Sequence, residues 1–377
     1  MMTFDRTNRS AIAEWWWTSD RWLFAVVSFL MFAGVLLGMA ASPAIAEKLH
    51  YDTFHFVSRQ IVFALLALSV MMLVSLLKIR DIRRLSLLGF FGGLALMGLA
   101  LVIGPEVKGA HRWLDFGPLS IQPSEFTKPA FVVLCSACLA QWQRTGKPIG
   151  LIAGVLLYGM FAGMLMQQPD FGQTLLVSMT FGALLFFAGI SMWIIGIFIA
   201  GGMGAGVLAY LFFPHIQSRV DRFLNPDSGD TYQVDRALAA LHNGGFLGVG
   251  PGEGTVKSSI PDAHTDFILA VVGEEFGLIA CMLLAVVFCF LVLRALHRSL
   301  QCPDAFSQIA AAGLAVMLGL QAVINMSVNL QLMPAKGMTL PFISYGGSSI
   351  IALALTVGCL IALTRKRPGA RRKRPVR

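Results

Sequence analysis

The stretch PDAHTDFILAVVGEEFG, residues 261–277, carries Asp262, His264, Asp266, Glu274 and Glu275. An aspartate near a histidine has the chemistry of a general base or a metal ligand, and neighbouring glutamates can bond across helices or move protons. The run that follows, LIACMLLAVVFCFLVL, fits only a membrane helix. Ionisable groups at a bilayer midplane cost at least about 2.5–3.5 kcal/mol each, so carboxylates leading into such a helix call for a use. Asp266 falls where the helix meets water, and two readings stand. Thr265 or Asp266 caps the helix, worth about 1 kcal/mol, or Asp266 is a base or metal ligand. His264 is an alternative base. On a continuous helix Glu274 and Glu275 lie about 12 Å deeper than Asp266. There Glu274 is expected to share the cavity of Asp266 and Glu275 to pair with another helix, with a purely structural role open for both.

Three further clusters mix charge, amides and hydroxyls with glycine. In GAHRWLDFGPLSIQPSEFTKPA, residues 109–130, Ser124 reads as a helix N-cap and Glu125 belongs in the first turn, where a carboxylate suits the helix dipole. Lys128 must snorkel or find an anion, and Arg112 beside Trp113 suits a phosphate or an anchor at the membrane interface. KGMTLPFISYGGSS, residues 336–349, carries Lys336 and Ser344 into a helix through proline and small residues, which permit close packing or a broken helix. QQPDFGQT, residues 167–174, is a shorter polar hairpin of the same kind.

Membrane helices must position these clusters. The chain of 377 residues is 56% hydrophobic and only 13% charged, against about 25% charged in soluble domains. Its mean hydropathy is +0.72. Apolar runs of spanning length lie near 22–43, 57–77, 85–104, 124–142, 149–167, 170–188, 192–213, 266–293, 305–330 and 342–363. The reading is an all-α integral membrane protein with about ten transmembrane helices. An even number leaves both termini on one side. Lys and Arg concentrate in the termini and in the 78–84, 143–148 and 294–304 connections, which makes that side cytoplasmic. The four polar clusters then share the outer face, which points to a single outward-facing site. The net charge of +9 owes much to the tail RKRPGARRKRPVR. Such a tail suits topology or anionic membrane lipid, and no nucleic acid partner is expected.

No cleavable signal is expected, because the first span is long and follows a basic segment. Residues 1–21 form a cytoplasmic N-terminal segment, 22–364 a single ten-helix membrane domain, and 365–377 a basic cytoplasmic tail. Cys135 and Cys138 have CxxC spacing but lie within a span, where packed thiols are expected rather than zinc or redox chemistry. The long connection is 214–265, a large extracytoplasmic loop between spans 7 and 8. It mixes aromatics with helical periodicity and predicts a short amphipathic helix over 231–242 at the membrane surface. Its glycines at 244–254 are read as tight turns or as the hinge of a lid over the site.

HRWLDFGPLSIQPSEFTKPA, QPDFGQT, PDAHTDFILAVVGEEFG and KGMTLPFISYGGSS resemble, in this order, the signature segments of the SEDS family (shape, elongation, division, sporulation). The resemblance covers about residues 20–364. PAKGMTLP, GVGPGEGTVKSSIPDAHTDF and WWWTSDRWL are similar to the division branch rather than the elongation branch. The resemblance implies a peptidoglycan glycosyltransferase of the cytoplasmic (inner) membrane, at the division septum, which polymerises lipid II on the outer side into a growing glycan strand. It implies as partners a class B penicillin-binding protein, the septal transpeptidase, and other divisome proteins. Asp266 matches the family's essential aspartate and becomes the expected catalytic base of an inverting transfer. Arg112, Trp113, Lys128, Arg219, His264, Lys336 and Ser344 are candidates for the diphosphate and sugars, with Glu125, Glu274 and Glu275 as supporting acids. No cofactor is required by these motifs and no metal-ligand spacing is present, although Mg2+ or Mn2+ could assist. A lipid II flippase or a non-enzymatic divisome scaffold are the rival readings. Clustering of the motifs at one face disfavours the first, because alternating access needs a mid-membrane site.

Overall fold

In lipid every backbone polar group must be satisfied within the chain, so the apolar runs form helices. The computed structural model describes residues 11–42, 46, 50–52, 54–107, 109–117, 119–212, 217, 221, 232–334 and 337–366. Its helices are α1 Ala11–Thr18, α2 Arg21–Ala41, α3 His55–Ser75, α4 Ile79–Ile103, α5 Pro123–Thr145, α6 Ile149–Gln167, α7 Phe171–Phe187, α8 Met192–Phe212, α9 Tyr232–Gly244, α10 Ile268–Ser299, α11 Ala305–Asn329 and α12 Gly347–Thr364. Among the described residues, eight of these are long and apolar enough to cross a membrane. Two more complete the expected set: α7 is apolar but only 17 residues long, and α5 is long enough but carries Glu125, Lys128 and Arg144.

The centre of the bundle is α11 and α12, whose apolar windows are 72% and 78% buried, whereas the window of α8 has no buried residue and faces outward. Small residues make the centre dense. Ala310, Ala311, Ala312 and Ala315 of α11 are buried, letting backbones approach as membrane helices require. Helix α12 packs along α3, and α5 packs against α4, α6 and α11.

Local detail is added at three places. The connection between α4 and α5 forms two antiparallel hairpins, Glu106–Val107 with Ala110–His111 and Leu114–Phe116 with Leu119–Ile121. Their open edges are tolerable only outside the hydrocarbon. Ser124 does not cap α5: Gln122 stands at the cap and Pro123 takes the first helical position, where its missing N–H costs nothing. The amphipathic helix appears as α9, but it packs on α10, with Ala237, Ala240 and Gly244 buried. A Cβ on Gly244 would stand 1.9 Å from Gly273 O, so glycine is needed for this approach.

At the end that holds both termini, residues 15–20 join the membrane body. Trp15 Nε1 donates to Ser75 Oγ at 2.7 Å, and Lys366 N donates to Thr18 O at 3.0 Å. Asp20 caps α2 through Trp22 N and pairs with Arg294 at 2.9 Å and with Arg298, both near the end of α10. Burial alone would raise its carboxyl, but Arg298, Arg294 and the Trp22 amide together hold it below the usual aspartate value.

Candidate active site

The four polar clusters meet at the end of the bundle opposite the termini. Gln122 N donates to Ser348 Oγ at 3.3 Å, and Tyr345 N donates to His264 O at 2.8 Å. Gln173 Nε2 donates to Glu125 Oε1 at 2.7 Å. Arg112 grips the 168–170 corner, with Nε on Gln168 O at 2.9 Å and Nη2 on Pro169 O at 2.5 Å. Its Nη1 lies 3.7 Å from Asp170 Oδ2. The guanidinium is thus committed to protein rather than turned to the interface, and Trp113 beside it is half-buried.

Asp266 sits in the turn before α10 and is half-buried. It does not cap the helix: the cap position is Phe267, with no side-chain capping bond. Thr265 is no cap either, its hydroxyl donating back to Asp262 O at 3.1 Å. The Asp266 carbonyl accepts from Asn325 Nδ2 at 2.9 Å and Asn329 Nδ2 at 3.0 Å. Its Oδ2 lies 3.6 Å from where a Cβ on Gly337 would stand, so the 337–340 segment runs beside the carboxylate.

His264, two residues earlier, is buried with Nδ1 unpartnered. Its ring packs 5.0 Å from Phe56 and 5.4 Å from Tyr345. Burial among these rings lowers its pKa, against the opposing charge of Asp262, and favours the neutral imidazole. Arg59 of α3, a cation absent from the sequence-based set, hydrogen-bonds Tyr345 behind it.

Lys128 finds its anion inside the protein. Nζ donates to Glu125 Oε1 at 2.8 Å and to Gln321 Oε1 at 3.4 Å. Glu125 Oε2 accepts from Ser349 Oγ at 3.4 Å, and Gln321 Nε2 donates to Thr339 O at 3.3 Å. This network joins α5, α7, α11, α12 and the 337–340 segment through Lys128 and Glu125. Ser344 is also internal, its Oγ accepting from Leu340 N at 2.9 Å to close a turn.

The expectation that Glu274 shares the cavity of Asp266 fails. Glu274 Oε1 accepts from Asn243 Nδ2 at 2.9 Å and Val256 N at 2.8 Å, and Oε2 from Lys257 N at 2.7 Å. Glu275 pairs with Nζ of Lys257, which lies in the short 3-10 helix Val256–Ser259. Extrapolation along one helix misleads because Asp266 precedes the helix, which begins at Ile268; beyond the glutamates, Gly277 breaks the helix, at φ 78° and ψ 178°. Residues 245–250 are spliced into that break. Val249 N and Gly250 N donate to Glu274 O and Glu275 O, while Leu278 N and Ile279 N donate to Gly245 O and Phe246 O. The four backbone groups that lose helical partners are all satisfied by the loop. Among the glycines of this segment Gly248 is in close backbone contact, a Cβ there standing 2.2 Å from Glu275 O.

Arg219 and Lys336 lie outside the described residues. Among the described residues no three His, Cys, Asp or Glu side chains come together to hold a Mg2+ or Mn2+ ion. The free cysteines include Cys135, packed with its Sγ 3.9 Å from Gly154 O. The amides Gln173, Gln321, Asn325 and Asn329 were not among the sequence-based candidates. Their signal was present, since 321, 325 and 329 repeat at helical spacing on an otherwise apolar span.

What the site offers is a half-buried carboxylate with a clamped main chain, beside a neutral imidazole, at one end of a membrane bundle. The chain matches, over residues 20–368, a family model described as Cell cycle protein, covering FtsW, RodA and SpoVE. It is 46% identical to a Caulobacter vibrioides protein named probable peptidoglycan glycosyltransferase FtsW, over 97% of this chain and 94% of that protein. A Coxiella burnetii protein of the same name is 34% identical over 92% of this chain and 96% of that one. Among solved structures, one chain of a peptidoglycan synthase complex that coordinates polymerization and crosslinking superposes with a TM-score of 0.76 at 28% identity, over 92% of this chain and 97% of that chain. The Thermus thermophilus rod shape determining protein RodA gives a TM-score of 0.68 at 27% identity, over 93% of this chain and 97% of that chain.

Proposed function

The chain belongs to the SEDS family of FtsW, RodA and SpoVE, and from that membership we propose that it is a peptidoglycan glycosyltransferase that polymerises lipid II on the outer face of the cytoplasmic membrane at the division septum. The observation that carries the chemistry is Asp266, a half-buried carboxylate not engaged in capping the helix it precedes. Lipid II has a polyprenyl tail, a diphosphate at the membrane surface and a sugar-peptide head in water. Its polymerase needs a base just above the interface, where Asp266 falls if the basic termini are cytoplasmic.

In this reading the 4-hydroxyl oxygen of the acceptor sugar attacks the anomeric carbon of the donor, and the bond from that carbon to the diphosphate breaks. The lipid diphosphate leaves with the electron pair, and Asp266 takes the hydroxyl proton, later releasing it to water. One displacement converts an α linkage to a β linkage, which needs no covalent enzyme intermediate. Arg112 and Lys128 are bound to the 168–170 corner and to Glu125, so they act on substrate by holding those segments. We assign the leaving diphosphate to Lys336 and Arg219 on sequence grounds, with Arg59 as a third cation. His264 orients sugar hydroxyls as a neutral imidazole. A class B penicillin-binding protein and other divisome proteins are its partners, and residues 214–265 are the part of the chain that such a partner reaches from outside.

Purified protein incubated with lipid II, with and without a class B transpeptidase, tests the proposal. A glycan ladder from wild type that falls at least about 100-fold in Asp266→Asn supports both the reaction and the base. Translocation without polymer would make the protein a flippase, and neither activity with the partner present would leave a scaffold.

A further inference from the structure

Asp266 is kept out of α10 by a side chain from another helix. In a regular helix start, its carbonyl would accept from Ala270 N, four residues on. Here Ala270 N is directed to Phe267 O at 3.0 Å and to Asn329 Oδ1 at 3.3 Å, while Asn329 Nδ2 donates to Asp266 O at 3.0 Å. The Asn329 amide thus occupies the place of one main-chain bond, touching both of its ends. One turn earlier on α11, Asn325 uses its single NH2 group twice, on Asp266 O at 2.9 Å and on Met338 O at 2.6 Å. Asn329 Nδ2 also donates to the main-chain Asn325 O at 3.0 Å and to Asn325 Oδ1 at 3.5 Å, the second of which ties the two amides together. A turn earlier again, Gln321 holds Thr339 O at 3.3 Å. All three amides are buried.

We infer that Asn325 and Asn329 are positioning residues for Asp266: Asn329 wedges it off the first turn of α10, and Asn325 fixes its main chain against the 337–340 segment. Burial makes the arrangement strict. An amide in this place that lost its donors would face carbonyls with no water to replace them. The direction of the Asp266 side chain follows from its φ and ψ, and those are set by two buried donors on α11. The apolar alternative at these positions, a leucine or alanine as elsewhere on α11, would let Ala270 N close onto Asp266 O and wind Asp266 into the helix. This inference rests on Asp266 being the base.

The test uses full-length protein and lipid II, comparing Asn325→Asp, Asn329→Asp and Asn329→Ala with Asp266→Asn as control. Exchange to aspartate keeps the shape but removes both N–H donors. Exchange to alanine removes the wedge while leaving a helix that can close, so it stays informative where an aspartate variant does not fold. We expect kcat to fall about 10-fold to 100-fold with KM for lipid II within about threefold, and the acidic limb of the pH–rate profile to move because the base has changed surroundings. Folded variants that keep the wild-type kcat and pH limb overturn the inference, as does a loss carried wholly by KM with the limb unmoved. Activity in the Asp266→Asn control is a separate result, and it removes the base assignment itself.

Discussion

Lys128 and Glu125 are only 1% and 4% exposed, and they form an ion pair at 2.8 Å in a part of the chain where water cannot replace a lost partner. Deleting one member of such a pair typically costs about 3–5 kcal/mol, whereas replacing both is close to neutral. Lys128→Met should therefore lower the thermal unfolding midpoint in detergent sharply, and Glu125→Gln added to it should restore most of the loss. Equal midpoints for single and double variants would mean that Gln173 and Ser349, which also donate to Glu125, satisfy the carboxylate without lysine. The sequence presented this lysine as an intramembrane charge in search of an anion. That anion stands three residues away, one turn of the same helix.

Helix α10 is where an element departs most from its sequence pattern. Read as one apolar run it should be continuous, yet Gly277 takes a conformation open essentially to glycine alone. A Cβ there would stand 2.3 Å from Phe246 O, so Gly277→Ala must both strain the backbone and expel the spliced 245–250 segment. The strain alone is about 1–3 kcal/mol. The expected outcome is a folded bundle with a lower unfolding midpoint and faster amide exchange at Val249, Gly250, Leu278 and Ile279. Unchanged protection at those four amides would show that the splice does not depend on glycine.

Across the whole molecule, the start of α2 and the end of α10 are joined by Asp20 with Arg294 and Arg298, far along the bundle from Asp266. The carboxyl of Asp20 is held below its ordinary value of 3.8. Its folded form thus binds protons less readily than the unfolded chain. The stability it contributes is complete above that ordinary value and is lost as pH falls through the lower folded one. Asp20→Asn should be less stable than wild type near neutral pH, and the gap in unfolding midpoint should close as the solution is taken below pH about 3.8. A gap that stays constant through that range would show that the stabilisation does not come from the charge of Asp20 on its arginines, since asparagine caps a helix as well as aspartate.

Much of this protein is legible from composition and spacing. Spans follow from apolar runs because lipid leaves the backbone no other partner than its own helix. The grouping of Glu125, Asp170, Asp266 and Ser349 at one end follows from alternating spans and the bias of Lys and Arg. Motifs in order pointed to the family. Tertiary structure alone decided what each polar group does. Arg112 and Lys128 bond to protein through residues distant in sequence, Gln168 and Gln321, while Ser344 closes the local 340–344 turn. Glu274 was placed by helical angle beside Asp266, and that extrapolation fails because Asp266 stands in the turn before the helix begins. Asn325 and Asn329 carried no signal beyond their spacing, since an amide on a membrane helix gains meaning only from the carbonyls that another segment brings within reach.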